Sequence, residues 1–368
     1  MAKRKRIKKG IKTTLSLVLL VCLVIGGILV YNNFFKDDAT AVSSEVEKIM
    51  QEYNIDNDKY SKVLEYVLLN NIYNEEYLDQ YADIEYVDID NFASILTTFL
   101  PKGYSGKEIN YITKLSDKNV DKLSNRDYVD ISKYYNISNF DVDKIDRYNT
   151  YYENNDYTYD VVVTYVNIGM DLPVYTDTIE VSDPDSLLVL VNKYHYLPDG
   201  YEPDDLGYVP GAYGNNVPMR DVIVEPFKEL QAAALEEIDV EFMPTTAYRG
   251  YSFQSTLYNR YVSEDGVEAA DTYSARPGYS EHQTGLSIDL RNTALSSDIR
   301  LTDDNYEWLS NNAYRFGFII RFPEDKTYIT GYQFENWHIR YVGKDAAKII
   351  YEEDLTLEEY IDLYVTEY

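Results

Sequence analysis

The feature that most constrains this chain lies near its amino terminus. Leu15 to Tyr31 is an uncharged apolar run, LSLVLLVCLVIGGILVY. Seven cations precede it, namely Lys3, Arg4, Lys5, Arg6, Lys8, Lys9 and Lys12. Such a run behind a cation cluster is typical of a membrane anchor or a signal peptide. Because positive flanks stay inside, we expect residues 1–14 to be a cytoplasmic basic tail and the chain beyond about Lys36 to fold outside the cell.

The apolar run could be a cleaved signal peptide or a retained membrane anchor. A signal peptide needs a small-residue cleavage site, and Ala39-Thr40-Ala41 offers one. The length of the run and the polar residues Asn32-Asn33 before that site favour a retained transmembrane anchor over 15–31. In either alternative the chain beyond about Lys36 is extracellular. Because the retained anchor is favoured, we expect a single-pass protein of the cell membrane.

Charge excludes one class of partner. The net charge is −29, and without the seven N-terminal cations the rest of the chain would carry −36. A body this acidic repels phosphate backbones, so no nucleic-acid partner is expected. At 45% hydrophobic residues the 368-residue chain is globular and long enough for more than one packed unit.

The first part of the body lacks residues typical of catalysis. Residues 42–156 contain no His or Cys, and the spacing of several apolar residues is helical, as in Tyr60, Val63, Leu64, Val67 and Leu68. We expect a helical stalk or spacer there. Residues 157–186 are expected to be a linker with one strand, because 159–168 (YDVVVTYVNI) is rich in β-branched and aromatic residues.

The remainder, residues 187–368, contains both helical and strand-like spacing of apolar residues. Helices are expected over 219–238, 251–262 and 344–368, and short strands over 239–243, 286–290, 317–322 and 337–342. Thr356 begins a capping sequence ahead of the last helical stretch. Helices interspersed with short antiparallel strands predict an α+β fold.

Two of the three histidines lie near isolated acids. His282 and Asp289 form an H-x6-D spacing across a glycine, and Glu335 and His338 form an E-x-x-H. Two imidazoles and a carboxylate are a three-ligand set for catalytic zinc, with a further acid as general base. The alternative is that both histidines are ordinary turn or strand residues, because such spacings arise by chance. The helical zinc motif H-E-x-x-H is absent from the sequence, which excludes that class of metalloprotease.

Longer strings around these residues resemble a known family. Residues 273–285 (YSARPGYSEHQTG) and 335–343 (ENWHIRYVG) resemble the two metal motifs of VanY-type zinc D-alanyl-D-alanine carboxypeptidases. This family belongs to the superfamily with lysostaphin-like and hedgehog-like domains. Residues 248–259 are similar to its substrate-recognition segment, and 192–198 to the segment that leads into the domain. The likeness runs from about Leu187 to Val365 and implies a small antiparallel sheet with helices.

The sequence departs from the family pattern at three positions. Asn336, Gly250 and Ser287 stand where the family usually has Pro, Ser and Ala. None of these removes a ligand or a charge, so the departures concern local geometry.

The resemblance also implies roles for individual residues. His282, Asp289 and His338 would bind Zn2+, and Glu335 would be the general base. His195 lies outside this metal set and is expected to be a packed, hydrogen-bonded residue.

Substrate recognition is implied for three further residues. Arg249 would grip a terminal carboxylate or stabilise the oxyanion, because a guanidinium offers a planar fork of donors. Gln254 and Ser280 would contact the substrate as well.

The implied activity is removal of the C-terminal D-Ala from peptidoglycan stem peptides at the bacterial envelope. L,D-carboxypeptidase action on tetrapeptide stems is an alternative within the enzyme class. A non-catalytic wall-binding module is a third possibility, which the presence of all three ligands and Glu335 disfavours. An endopeptidase is a fourth, which an Arg249 carboxylate grip disfavours.

Overall fold

The computed structural model describes residues 41–53, 58–292 and 301–365. The expected basic tail over 1–14 and anchor over 15–31 lie outside the described residues. Within the described residues, no helix combines the length and the apolar character that crossing a bilayer requires. The chain divides into two compact units, with the boundary in the sequence between Tyr135 and Asn136.

The N-terminal unit is helical. Its helices are α1 (residues 41–52), α2 (Asp58–Leu69), α3 (Leu78–Asp83), α4 (Phe92–Phe99), α5 (Gly106–Ile112) and α6 (Asp117–Ser124). The predicted stripe on α2 is confirmed for Tyr60, Val63, Leu64 and Val67, which are all fully buried, whereas Leu68 is half-buried. These positions share one helix face, which packs into the core of the unit.

The C-terminal unit contains nine of the helices described. They are α7 (Ile145–Asn154), α8 (Tyr159–Asn167), α9 (Asp221–Ile238), α10 (Tyr251–Asp265), α11 (Val267–Tyr273), α12 (Asp303–Asn312), α13 (Thr327–Thr330), α14 (Lys344–Glu352) and α15 (Leu357–Tyr364). The predicted helices over 219–238 and 251–262 are confirmed as α9 and α10. The single helix expected over 344–368 is two helices, and Thr356 with Glu359 forms a capping box on the second.

The strand predicted over residues 159–168 is wrong, because Tyr159–Asn167 is helix α8. Val162, Val163 and Val166 are fully buried, and their spacing of one and four residues is helical. The helix lies against α7 and α15. Packing of this face on two helices overrides the β propensity of the valines.

The predicted boundaries before residue 187 also differ from those observed. Residues 136–186 belong to the same compact unit as the rest of the C-terminal chain, rather than to a spacer and a linker. Arg147 forms two hydrogen bonds to Asp171, at 2.6 and 2.7 Å. Asn139 donates to Asp362 of α15 at 2.5 Å. Because these residues have long-range partners within the unit, residues 136–156 of the expected spacer belong to the C-terminal unit.

The sheet confirms the α+β prediction. The strands are β1 (Ile179–Glu180), β2 (His195–Tyr196), β3 (Leu206–Pro210), β4 (Asn216–Arg220), β5 (Phe242–Thr246), β6 (Ser287–Asn292), β7 (Phe318–Ile320) and β8 (His338–Tyr341). Four of them form an antiparallel sheet in the order β5-β6-β8-β7. The strand expected over 239–243 starts three residues later, at Phe242.

Alternation along two central strands separates the core from the site. Ile288 of β6 and Ile339 of β8 belong to the core cluster that also contains Phe227 of α9. Successive side chains of a strand point to opposite faces. Asp289 and His338 therefore point away from α9, and they are direct partners in the β6–β8 register.

Candidate metal centre

Three buried side chains meet at one edge of the β6–β8 pair. Asp289 and His338 come from directly paired positions. His282 comes from a 3₁₀ turn, Glu281–Thr284, that precedes β6. Gly285 closes this turn in the left-handed region, at φ +68, which favours glycine. The rings of His282 and His338 lie with their centroids 4.9 Å apart, and both face Asp289.

These three residues fit a zinc ion. One ligand atom from each lies within 4.8 Å of the others. His282 Nε2 is 3.3 Å from Asp289 Oδ2, and His338 Nδ1 is 3.0 Å from Asp289 Oδ1. Because His282 Nδ1 donates to the Ala247 carbonyl at 2.7 Å, its Nε2 is left with a free lone pair. Two imidazole nitrogens and a carboxylate oxygen form a catalytic zinc set with one open position.

The electrostatics of the centre favour a positive charge in its middle. Burial alone would raise the pKa of Asp289, but the two imidazoles hold it well below its ordinary range. Burial would lower the pKa of His338, yet the contacts with Asp289 and Glu281 raise it to about 9. Burial and the Arg249 charge lower the pKa of His282. A bound cation would replace the proton that His338 otherwise holds.

Glu335 is the acid beside this centre. It lies at the bend before β8, with Oε2 3.5 Å from His338 Nδ1, the nitrogen that faces Asp289. Burial, followed by the charge of Asp289, raises the pKa of Glu335 to about 7, despite the lowering effect of His338. A carboxylate that exchanges a proton near neutral pH is suited to general acid–base chemistry.

Arg249 supplies the positive charge of the cavity. Its backbone N–H donates to the His282 carbonyl at 3.0 Å, which holds it close to the metal ligands. Arg249 is half-buried, but its Nε is buried and has no hydrogen-bond partner among the described residues. Burial lowers the pKa of Arg249. A buried donor without a partner is costly, and a bound anion would satisfy it.

The residues expected to bind substrate separate into two groups. A cavity of about 550 Å³ is lined by Arg249 and Ser280, by Glu335 with the three ligands, and by an apolar wall of Phe253, Leu257, Tyr261, Tyr273, Phe334 and Trp337. Gln254 is not among the lining residues. Its amide donates to the Ala275 carbonyl at 2.7 Å, so it supports the wall from behind. Ser280 is buried on the cavity side.

His195 is not part of this group, and it does not line the cavity. It is half-buried on β2, and its Nδ1 lies 3.1 Å from Asn192 Oδ1. The structure therefore places it outside the three-residue group, in a packed and hydrogen-bonded position.

The charged residues behind the centre were not predicted from the sequence. Arg321 and Arg340 each lie 2.8 Å from the same oxygen of Glu281, and Arg321 also pairs with Glu358. The available signal was that Glu281 and Arg340 occupy the metal motifs themselves. Arg321 and Glu358 lie in no motif.

Comparison with known proteins places the chain among carboxypeptidases. The family model described as VanY, D-alanyl-D-alanine carboxypeptidase, matches residues 216–344. The putative carboxypeptidase YodJ of Bacillus subtilis is 39% identical over 190 residues, which are 50% of this chain and 69% of that protein. The bifunctional D-Ala-D-Ala dipeptidase and carboxypeptidase VanXYC of Enterococcus gallinarum is 32% identical over 180 residues, 48% of this chain and 93% of that protein.

A solved structure is similar as well. It is a crystal structure of a mutant of the vancomycin-resistance D,D-pentapeptidase VanY in complex with Zn(II). The two sequences are 37% identical, the TM-score is 0.41, and the alignment covers 47% of this chain and 98% of that one. The segment matched by the family model contains all three proposed ligands together with Arg249 and Glu335.

The centre predicts how single histidine substitutions change zinc content. His282→Ala and His338→Ala should each lower bound zinc well below one ion per chain, because each removes one of three ligands. His195→Ala is the matched control and should retain the wild-type stoichiometry. Plasma mass spectrometry of the purified variants measures the metal, and circular dichroism checks the fold. Wild-type zinc content in either ligand variant would refute the centre.

Proposed function

The chain belongs to the VanY family of D-alanyl-D-alanine carboxypeptidases, and from this we propose that it removes the C-terminal D-Ala from peptidoglycan stem peptides at the bacterial cell envelope. One observation carries the proposal. Arg249, whose buried Nε has no partner among the described residues, and Glu335, whose pKa is raised, share one cavity with a His–Asp–His group.

The substrate's free terminus fits Arg249. A guanidinium can hold a carboxylate through two parallel charge-assisted hydrogen bonds. In the buried cavity these bonds are stronger than in water. An endopeptidase cutting a cross-bridge would present no free carboxylate next to the scissile bond. The position of Arg249 therefore supports a carboxypeptidase.

Proton transfer is assigned to Glu335. Zinc, when bound, supplies a Lewis acid that makes a water molecule acidic near neutral pH and polarises the scissile carbonyl. Glu335 accepts a proton from the attacking water as the water oxygen bonds to the carbonyl carbon. The same carboxyl group then donates that proton to the departing amine of D-Ala as the C–N bond breaks. The raised pKa of Glu335 suits both transfers.

Defined stem peptides test this activity. Incubation of the full chain with tri-, tetra- and pentapeptide stems, followed by mass spectrometry, identifies the product. Conversion of pentapeptide to tetrapeptide supports the proposal. Trimming of the tetrapeptide alone would assign L,D-carboxypeptidase activity, and no product from any stem would favour a non-catalytic wall-binding module.

We also propose that residues 15–31 anchor the protein in the cell membrane as a single-pass segment, with residues 1–14 in the cytoplasm and the carboxypeptidase outside. The uncharged run behind seven cations supports this. In fractionated cells the full chain should resist carbonate washing and stay with the membrane. Protease added to cells that have lost the wall but keep a closed membrane should digest the chain beyond the anchor. Recovery in the soluble fraction would contradict a retained anchor.

Glu335→Gln tests the proton-transfer role. The amide keeps the shape of the side chain but cannot accept the proton, so kcat should fall by about 10²–10⁴-fold. Zinc content should remain at the wild-type level, because Glu335 is not one of the three ligands. Loss of zinc together with activity would instead make Glu335 a ligand. Turnover of pentapeptide and metal analysis of the same preparation provide both measurements.

Arg249→Lys tests the recognition of the terminal carboxylate. A lysine keeps the charge but cannot form two parallel bonds. Loss of one charge-assisted hydrogen bond costs about 1.5–3 kcal/mol, so kcat/KM should fall by roughly one to two decades.

An amidated pentapeptide is the control substrate for this variant. It lacks the carboxylate, so the wild type should cleave it poorly and the substitution should change its rate little. Similar wild-type rates on amidated and free-acid peptides would contradict the proposed grip and favour endopeptidase action.

A further inference from the structure

Four buried charged side chains lie directly behind the metal centre. We call Glu281, Arg321, Arg340 and Glu358 the buried charge cluster. None of the four is more than 5% exposed. Two carboxylates and two guanidiniums balance each other, which is the usual condition for burying charges.

One oxygen of Glu281 holds the cluster together. Glu281 Oε1 accepts hydrogen bonds from Arg321 Nε and Arg340 Nη1, both at 2.8 Å. Arg321 also donates to both oxygens of Glu358 in α15, at 2.9 and 2.7 Å. Arg340 further donates to the Val189 carbonyl at 2.8 Å. The position of Glu281 is thus fixed from two sides through Oε1 alone.

The other oxygen of Glu281 faces the metal centre. Glu281 Oε2 is buried and has no hydrogen-bond partner among the described residues. His338 Nε2 lies 3.8 Å away, and it too is buried with no such partner. Unsatisfied buried polar atoms are rare because each costs about 1–3 kcal/mol. Here an acceptor and a potential donor face each other at slightly more than hydrogen-bond distance.

The contact between Glu281 Oε2 and His338 Nε2 affects which nitrogen of His338 can bind a metal. His338 Nδ1 points at Asp289 and Glu335. A metal ligand needs its lone pair, so the ring proton must lie on Nε2 when Nδ1 binds. The hydrogen bond made by the second nitrogen sets the tautomer of a ligating histidine. Glu281 Oε2 is the acceptor in position to make that bond.

We propose that Glu281 is a positioning residue that holds His338 in the tautomer and ring orientation required for metal binding, with Arg321 and Arg340 holding Glu281 in place. The inference rests on the metal site of the proposed function and not on its substrate. Glu281 binds neither metal nor substrate in this role. It acts through His338.

The two histidines are supported differently. His282 donates from Nδ1 to the Ala247 backbone carbonyl and presents Nε2. His338 presents Nδ1 and depends on a side-chain carboxylate behind it. A substitution at position 281 should therefore disturb one of the two rings only.

Glu281→Gln is the decisive variant, with Glu358→Gln as its matched control. Because Arg321 and Arg340 retain the amide oxygen, the glutamine NH₂ should face His338 Nε2, where a donor favours the wrong tautomer. Zinc affinity, measured by chelator competition, should fall about 10–100-fold. The visible spectrum of the cobalt-substituted protein should change as well. Glu358→Gln removes a charge from the same cluster without facing His338, so it should lower Tm while preserving zinc affinity and the cobalt spectrum.

Two outcomes would overturn the proposal. Glu281→Gln could bind zinc with wild-type affinity and give a wild-type cobalt spectrum, in which case Glu281 has no effect on His338. Glu358→Gln could weaken zinc binding equally, in which case the cluster acts through general stability. Absence of peptidase activity in a wild-type protein that binds zinc would refute the proposed function alone.

A second test does not depend on folding of the Glu281 variant. The chain has three histidines, so loss of the His195 signals in His195→Ala leaves those of the two proposed ligands in ¹⁵N-histidine NMR of the zinc-loaded protein. One of these two rings should carry its proton on Nε2, as expected for His338, and the other on Nδ1, as expected for His282. Protons on Nδ1 in both rings would refute the proposal.

Discussion

Pairing of β6 with β8 is the interaction on which the rest of the catalytic unit depends. It brings Asp289 directly opposite His338 although 49 residues separate them in the chain. The same pairing directs Ile288 and Ile339 to the opposite face, where they join the core. A slip of one residue would exchange these two faces. The hydrophobic core therefore enforces the register that assembles the metal centre.

The charged residues on the metal-centre face of this sheet differ in how far their charges are compensated by partners. This difference separates the structural residues from those available for chemistry. Glu281 is compensated by Arg321 and Arg340 within hydrogen-bond distance. Arg249 has an unused donor, and Glu335 has a raised pKa, because neither has a full set of compensating partners. Perturbed groups of this kind cluster at functional sites. Arg249 and Glu335 line the cavity, whereas the two arginines that compensate Glu281 are not among its lining residues.

The sequence allowed prediction of those parts in which local pattern and packing agree. The α2 stripe, the strands around residues 288 and 339 and the His–acid pairs could all be read from spacing or motif. The helix over Tyr159–Asn167 could not be predicted, because packing against α7 and α15, and not the β propensity of its valines, determines its conformation. Arg321 could not be predicted either. Its role comes from a partner in α15 that no local pattern connects to it.

The departure from the family pattern at Asn336 shows how geometry can be kept by other means. The residue lies between Glu335 and Trp337, where a proline would fix the backbone φ. Its side chain accepts from the Leu301 N–H at 3.1 Å and donates to the Leu301 carbonyl at 3.0 Å. These two buried hydrogen bonds tie the bend to a neighbouring segment. In this chain the restraint thus comes from tertiary contact rather than from a ring, and it fixes the bend next to Glu335.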